Sequence, residues 1–364
     1  MNFSLSDEQK DIQTLASQIL SEQVTADTLH KYDMWQEERF SRTLWSQLAD
    51  AGLLGIAIPE TNGGMGFGFS ELSLLIEECG RVLAPVPVIP SLISALAIDK
   101  FGNAETKKLL NGAATGELIL SAAFHEEGIF DAYTPNTKAS SGKLSGTKMC
   151  VPYANFATRL LVVADDKSEA SLFLVDPKDS SVTLTALKAT TFEPQFIVEL
   201  NNTPAIKLGG ATAVQFLVER YTAALCAYQA GAAEQMVKMT AAYTSEREQF
   251  NVKIASFQAV GHRVANCYID AKCLKLVTQQ AVELLAENAD ASREVHVAKV
   301  WLGDACHRIS YATQHLHGGM GVDRDYPLWR YSLWAKQNEL TLGSSTQHTL
   351  TLGDLIAAGS YDID

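Results

Sequence analysis

Residues Met239 to Arg263, MTAAYTSEREQFNVKIASFQAVGHR, read as the end of one long helix, a short exposed turn and the start of another. Arg247 and Phe250 stand at the turn, and Gln258 follows eight residues after Phe250. A guanidinium fork, an aromatic face and a side-chain amide in a helix-to-helix corner suit a phosphate-bearing aromatic ligand. Taken alone, Arg247 reads more simply as a solvated helix-end residue. The rest of the chain decides between the two.

Downstream, the helical period returns in long pieces at 211–245, 255–287, 292–316, 326–341 and 345–357, joined by short connections. That pattern predicts an up-and-down, four-helix-type bundle. Upstream, from Leu118 to about Leu208, the runs are short and β-rich: LILSAAF, KLSGTKMCV, TRLLVVAD, ASLFLVD, VTLTAL and QFIVEL. Six such runs with no helix-length pattern between them predict a small antiparallel β-barrel or sandwich, closed by Gly209-Gly210. Residues 1 to 116 read as all-helical. Ser6-Asp7-Glu8-Gln9 is a capping box ahead of a helix over 6–22. A second helix runs through Leu44–Ala51 and stops at Gly52. Pro59, Gly63-Gly64, Gly66 and Gly68 mark a loop, after which Ser70 is expected to cap a helix through Leu72, Leu75, Ile76 and Cys79. Helical patterns follow at 91–101 and 104–110. The expected fold class is therefore α+β multidomain: an N-terminal helical domain over 1–116, a β domain over 117–209 and a helical bundle over 210–364.

The 364 residues carry a net charge of −13 and no run of five Lys/Arg, which argues against nucleic acid and anionic membrane as partners. Six cysteines without CxxC spacing fit reduced, mostly buried thiols in a cytoplasmic protein. The acidic, polar start MNFSLSDEQKD does not read as a signal peptide, and no run of 18 apolar residues offers a membrane span.

The order helix, β, helical bundle, together with three local motifs, resembles the acyl-CoA dehydrogenase family of flavoproteins over nearly the whole chain. LADAGLLGIAIPETNGGMGFGFSELSLLIEECGR is similar to that family's N-terminal signature, with Pro59, Glu60, Gly63 and Gly64 in place. SEREQFNVKIASFQAVGHR is similar to its dimer-corner motif, and His317 to Gly321, HGGMG, with Tyr326-Pro327, to its C-terminal glycine turn. The resemblance implies FAD as cofactor and α,β-desaturation of an acyl-CoA thioester, by removal of the α-proton and hydride transfer to flavin. It implies that Arg247, Phe250 and Gln258 contact the adenosine diphosphate part of FAD bound mainly by a neighbouring subunit. His315, Gly318 and Gly319 would approach the pyrophosphate or adenine from the adjoining subunit. Glycine lets backbone amides come close to phosphate, and Arg adds a paired charge-assisted contact. A site split between chains implies a homo- or hetero-oligomer, dimer or tetramer, and the family's electron acceptor is electron-transferring flavoprotein.

The sequence departs from the family pattern at three places. The usual base precedes a Gly-Thr or Gly-Ser near the last helix; here AKQNELTLGSSTQH puts Leu342 before Gly343, and leucine cannot take a proton. Glu339 lies three residues earlier and would need a register change. A minority of the family carries the base on the first bundle helix near Glu219, with a two-residue offset when aligned through the Arg247 motif; otherwise Glu219 is a helix-start carboxylate favoured by the macrodipole. The flavin-wall loop reads FHEEGIFDA (124–132), and the strand that usually offers an aromatic and a hydroxyl reads Met149-Cys150-Val151-Pro152. VPYANFATRLLVVA resembles a subgroup of shorter bacterial members, some of which work as unequal paired subunits.

A metal site at His125-Glu126-Glu127 is disfavoured, since neighbours on a strand point to opposite faces. GGMGFG near residue 63 lacks a surrounding βαβ unit, and Trp301, Trp329 and Trp334 read as bundle core. The leading expectation is an acyl-CoA dehydrogenase-like subunit, acting on a fatty, branched or steroid-derived acyl-CoA as the base-lacking partner in a heteromeric enzyme. The alternatives are a self-sufficient homo-oligomer using Glu219 as base, and a non-catalytic acyl-CoA or flavin-binding scaffold.

Overall fold

Local chemistry sets the helix starts. In the computed structural model, which describes residues 4–129 and 131–359, the Ser6 hydroxyl accepts the Gln9 amide at 3.1 Å while Gln9 Oε1 accepts the Ser6 amide at 3.0 Å. This capping box opens α1 (Asp7–Gln23), which buries Ile12, Ala16 and Leu20. After α2 (Ala26–His30), Ser41 caps α3 (Arg42–Asp50), which ends before Gly52 at φ +76°. Helix α4 (Phe69–Val82) starts one residue before the expected Ser70 cap: Glu71 reaches back to the Gly68 amide at 2.9 Å and satisfies the first turn instead. Helices α5 (Val88–Phe101) and α6 (Leu109–Ala114) complete the N-terminal helical part.

Seven strands follow: β1 (Leu120–Ala123), β2 (Lys138–Ser140), β3 (Lys143–Pro152), β4 (Arg159–Asp166), β5 (Glu169–Val175), β6 (Val182–Lys188) and β7 (Pro194–Gly209). Strands β4, β2, β3, β7 and β5 pair in a closed ring, because β5 also pairs β4; β1 adds to β4 and β6 to β7. The result is a small barrel. It is mixed rather than wholly antiparallel: β1 and β2 each pair β4 in parallel. The long connection from β1 to β4 holds two strands of its own, which is the crossover length that parallel pairing needs. The short β2 is a strand that local hydrophobic patterning did not mark. Alternation fills the interior with Leu160, Val162 and Ala164 from β4, Phe173 and Val175 from β5, and Phe196, Val198 and Leu200 from β7. Burying each large apolar side chain contributes about 1.5–3 kcal/mol.

The last part consists of α7 (Ala211–Glu246), a two-stranded hairpin β8 (Glu248–Gln249) and β9 (Val252–Lys253), then α8 (Gln258–Ala286), α9 (Ser292–His317), α10 (Leu328–Leu340) and α11 (Ser345–Ala357). Helix α9 packs against α8, α10 and α11. Packing gathers the chain into two units. One holds the chain through Thr28, Ser73–Ala84 and the chain from Thr222 on; the other holds Leu29–Leu72 and Pro85–Tyr221. Within the first, α4 and α7 cross at glycines: a Cβ on Gly80 would lie 1.8 Å from Tyr228 O, and one on Gly231 2.0 Å from Glu77 O. Among the described residues no helix is long and apolar enough to cross a membrane.

Candidate functional site

The turn after α7 is a tight hairpin. Arg247 donates its backbone amide to Tyr243 O at 2.9 Å and its carbonyl accepts the Ile254 amide at 2.9 Å, so the residue is fixed at both peptide groups while its side chain stays exposed. Phe250 and Asn251 form the two-residue loop, both at positive φ (57° and 65°), the requirement of a type I′ turn. Phe250 is 85% exposed and lies T-shaped to Phe257, with centroids 6.1 Å apart. Gln258 opens α8 and is exposed.

The glycine turn ends α9. His317 is buried; its Nδ1–H donates to Thr313 O at 2.8 Å, so Nε2 accepts the Tyr326 hydroxyl at 3.1 Å. Burial holds its pKa below the ordinary value and keeps the ring neutral. Tyr243 stacks on that ring at 4.4 Å, which joins the end of α7, and through it Arg247, to the glycine turn. Gly318 lies at φ +59°, ψ −136°, a conformation that a side chain opposes, and a Cβ built on Gly318 or Gly319 would meet nothing within 4 Å. Exposed backbone with open space above it can admit a phosphate. His315, one turn before the glycines, is exposed and accepts Arg263 Nη1 at its Nδ1, 2.7 Å away. Five of the six residues expected to hold cofactor, all but Gln258, thus lie on two short segments tied through Tyr243 and His317.

The candidate base lies elsewhere. Glu219 is on α7, half-buried, and accepts Gln215 Nε2 at 2.9 Å. Its neighbour Arg220 is buried, with its guanidinium 3.6 Å from the Phe216 ring centroid; burial lowers its pKa to about 10 against the raising pull of Glu219.

Leu342 occupies the corner between α10 and α11. It is buried, at φ +58°, beside Gly343 at φ +101°. His348 Nε2–H donates to Leu342 O at 2.9 Å, and its Nδ1 lies 2.6 Å from His296 Nδ1. The geometry fixes the tautomers: His348 carries its proton on Nε2, so His296 donates from Nδ1. Burial, with the backbone bond to Leu342 opposing it, brings the His348 pKa down to about 4. One turn along α9, the fully buried Lys299 donates to Asn338 O and, at 3.0 Å, to Glu339 O, capping the end of α10. Burial pushes the Lys299 pKa down to about 8. Neither residue pattern was singled out from sequence, although His296 and Lys299 share a helix face and Lys299 interrupts a buried stripe.

The β segment that corresponds to a flavin wall is engaged internally. Phe124 packs edge-on against Tyr221 at 5.0 Å, and both are buried. Glu126 forms a buried ion pair with Lys148 at 2.6 Å and accepts the amides of Asn136 (2.6 Å) and Thr137 (3.0 Å). Burial raises the Glu126 pKa, and the Lys148 ammonium with the Thr137 bonds outweighs it, leaving the carboxyl below its ordinary range. The Pro152 carbonyl accepts the Ser121 hydroxyl at 2.5 Å. The signal for Lys148 was in the sequence: it shares strand parity with the buried Leu144. Of the three tryptophans read as core, Trp329 and Trp334 are buried and Trp301 is half-buried.

Two family models match the chain: the acyl-CoA dehydrogenase N-terminal domain over residues 6–117 and the C-terminal domain over 209–356. The chain belongs to the acyl-CoA dehydrogenase family. Acyl-CoA dehydrogenases are FAD-dependent oxidoreductases. Acyl-CoA dehydrogenase FadE27 of Mycobacterium tuberculosis is 37% identical, covering 98% of this chain and 99% of that relative. Among solved structures, a variant of the Tcur3481–Tcur3483 steroid acyl-CoA dehydrogenase matches with TM-score 0.94 and 38% identity over 98% of this chain and 99% of that one. The ChsE4–ChsE5 complex from Mycobacterium tuberculosis matches with TM-score 0.92 and 36% identity, over 98% and 99%.

Proposed function

We propose that this chain is the base-lacking subunit of a heteromeric acyl-CoA dehydrogenase that desaturates a steroid- or fatty-acid-derived acyl-CoA between its α and β carbons. The observation that carries the reading is Leu342: the corner that bears the base in most of the family holds a buried leucine in a turn fixed by His348. Two similar structures, the Tcur3481–Tcur3483 steroid acyl-CoA dehydrogenase and the ChsE4–ChsE5 complex, are each named for a pair of chains, which supports a heteromer here.

The fit to FAD divides in two. The exposed Arg247 and Phe250, with the open backbone of Gly318 and Gly319, suit the adenosine diphosphate end of a cofactor held mainly by the partner. Gln258 and His315 would line the same end. The wall at 124–152 does not suit the flavin ring: its carboxylate is paired with Lys148, Phe124 is packed on Tyr221, and Pro152 offers no hydroxyl. When bound, FAD supplies the hydride acceptor; the α-proton goes to a carboxylate, which this reading assigns to the partner chain. Electron-transferring flavoprotein is the acceptor this reading implies, and the six free cysteines suit a cytoplasmic setting.

A second reading has one observation in its favour: Glu219 is half-buried and oriented by Gln215, as a base on the first bundle helix would be. The visible absorption spectrum of the purified chain separates the readings. Little flavin alone, and stoichiometric flavin with turnover once a longer homologous chain is co-expressed, is the expected result. Full flavin that bleaches with an acyl-CoA in the chain alone overturns it in favour of Glu219. Full flavin that no acyl-CoA bleaches, with or without a homologous chain, indicates a scaffold.

A further inference from the structure

A cleft lies in the unit that contains the barrel. Its volume is about 510 Å³, and four segments converge on it: the first turn of α3, residues 115–119, the turn between β3 and β4, and the turn after β5. Three charged side chains line it, Arg42, Lys178 and Glu117, and all three are exposed. Among the described residues, none of the three is ion-paired. On a chain with 42 acidic residues, two cations that share a cleft and form no ion pair are a feature to explain.

The Arg42 guanidinium is positioned by rings rather than by acids. Its central carbon lies 5.2 Å from the centroid of Phe40 and 5.4 Å from that of Phe156. Those rings pack against each other at 4.8 Å. Rings beside a guanidinium leave its N–H donors free of any carboxylate, so they can bind a phosphate or carboxylate through two bonds. Order in the free protein lowers the cost of ordering on binding. The buried Trp45 fixes the wall of the cleft by donating its indole N–H to Gly116 O at 2.9 Å. Glu117 offers an acceptor in the same cleft, which suits a ligand that bears N–H donors as well as an anion.

We propose that this cleft binds a nucleoside monophosphate, with the phosphate on Arg42 and Lys178, the base against Phe156, the one half-buried ring among those lining the cleft, and an amino group on Glu117. The volume is in the range of small-ligand sites. The phosphate and the base are both required: neither two exposed cations nor a small aromatic surface binds strongly alone.

Calorimetric titration of the purified assembly with 5′-AMP, adenosine and inorganic phosphate tests this. AMP is expected to bind more tightly than either fragment and to weaken as salt rises. Arg42→Ala and Lys178→Ala are each expected to weaken it about tenfold, with thermal unfolding unchanged. Arg247→Ala controls for the adenosine diphosphate end of the family cofactor site. AMP binding lost in Arg247→Ala and retained in Arg42→Ala overturns the cleft and leaves the proposed function standing. Adenosine binding as tightly as AMP, or no AMP binding at all, also overturns it.

Discussion

Single side chains carry two kinds of role here, and substitutions separate them. Lys148 and Glu126 are a buried pair, so Lys148→Met leaves a carboxylate in the interior and is expected to cost about 3–5 kcal/mol in chemical denaturation. Adding Glu126→Gln to that variant removes the stranded charge and is expected to recover part of the loss. Arg247 is exposed, so Arg247→Lys keeps the charge and the fold but loses the fork. The assembled enzyme carrying it is expected to retain flavin about tenfold more weakly, read from the ratio of visible to ultraviolet absorbance after dialysis, with an unchanged melting temperature. Arg247 was legible because a cationic residue stood in a recognisable helix-to-helix corner. The Lys148–Glu126 pair was not, because its two residues lie 22 positions apart and only the folded barrel joins them. A lysine on the inward parity of a strand was the one local hint.

At the level of elements, turns and corners hold the information. The helices of the bundle were readable to within a few residues because apolar period is a local property, and at α11 the capping box of Ser344 with Gln347 adds a local start signal. Strand β2 escaped notice because three residues, all of them exposed or half-buried, carry no alternation worth the name. The α10–α11 corner was read for what it lacks, a carboxylate; what holds it, the pair His296 and His348, comes from separate helices. That pair makes a pH prediction. The folded His348 titrates near 4 and the unfolded one near its ordinary 6.5, so the unfolded chain takes up the proton first as pH falls. The stabilisation is complete above about pH 6.5 and is lost progressively down to about 4, by roughly 3 kcal/mol in all. His348→Gln is expected to flatten the difference in urea midpoint between pH 7 and pH 5; an unchanged difference assigns that slope to other groups. The glycine turn makes another. Gly318→Ala places a Cβ at φ +59°, at a strain of about 1–3 kcal/mol, and narrows the open backbone. Lower flavin occupancy together with a lower melting temperature is the expected outcome.

Across the whole molecule, the sequence order of helical, β and bundle segments was legible from period alone, while the grouping into two packed units was not, since it joins α1, the end of α4 and the bundle across long stretches of chain. The same limit applies to the site. The residues resembling a cofactor-holding motif stood out because they cluster in short stretches of sequence. On the heteromeric reading, mixing this chain with its partner is expected to restore turnover in a ratio that saturates at a fixed stoichiometry, measured by reduction of a dye at increasing partner concentration. The exposed apolar side chains around the hairpin and on the outer turns of the bundle have one more consequence. Phe250 is 85% exposed, Tyr311 69% and Val322 64%. A copy that meets no partner keeps such side chains in water, where chaperones and proteases recognise them. On the heteromeric reading, synthesis of the two chains would have to be matched, and any surplus of this one would be short-lived in the cell.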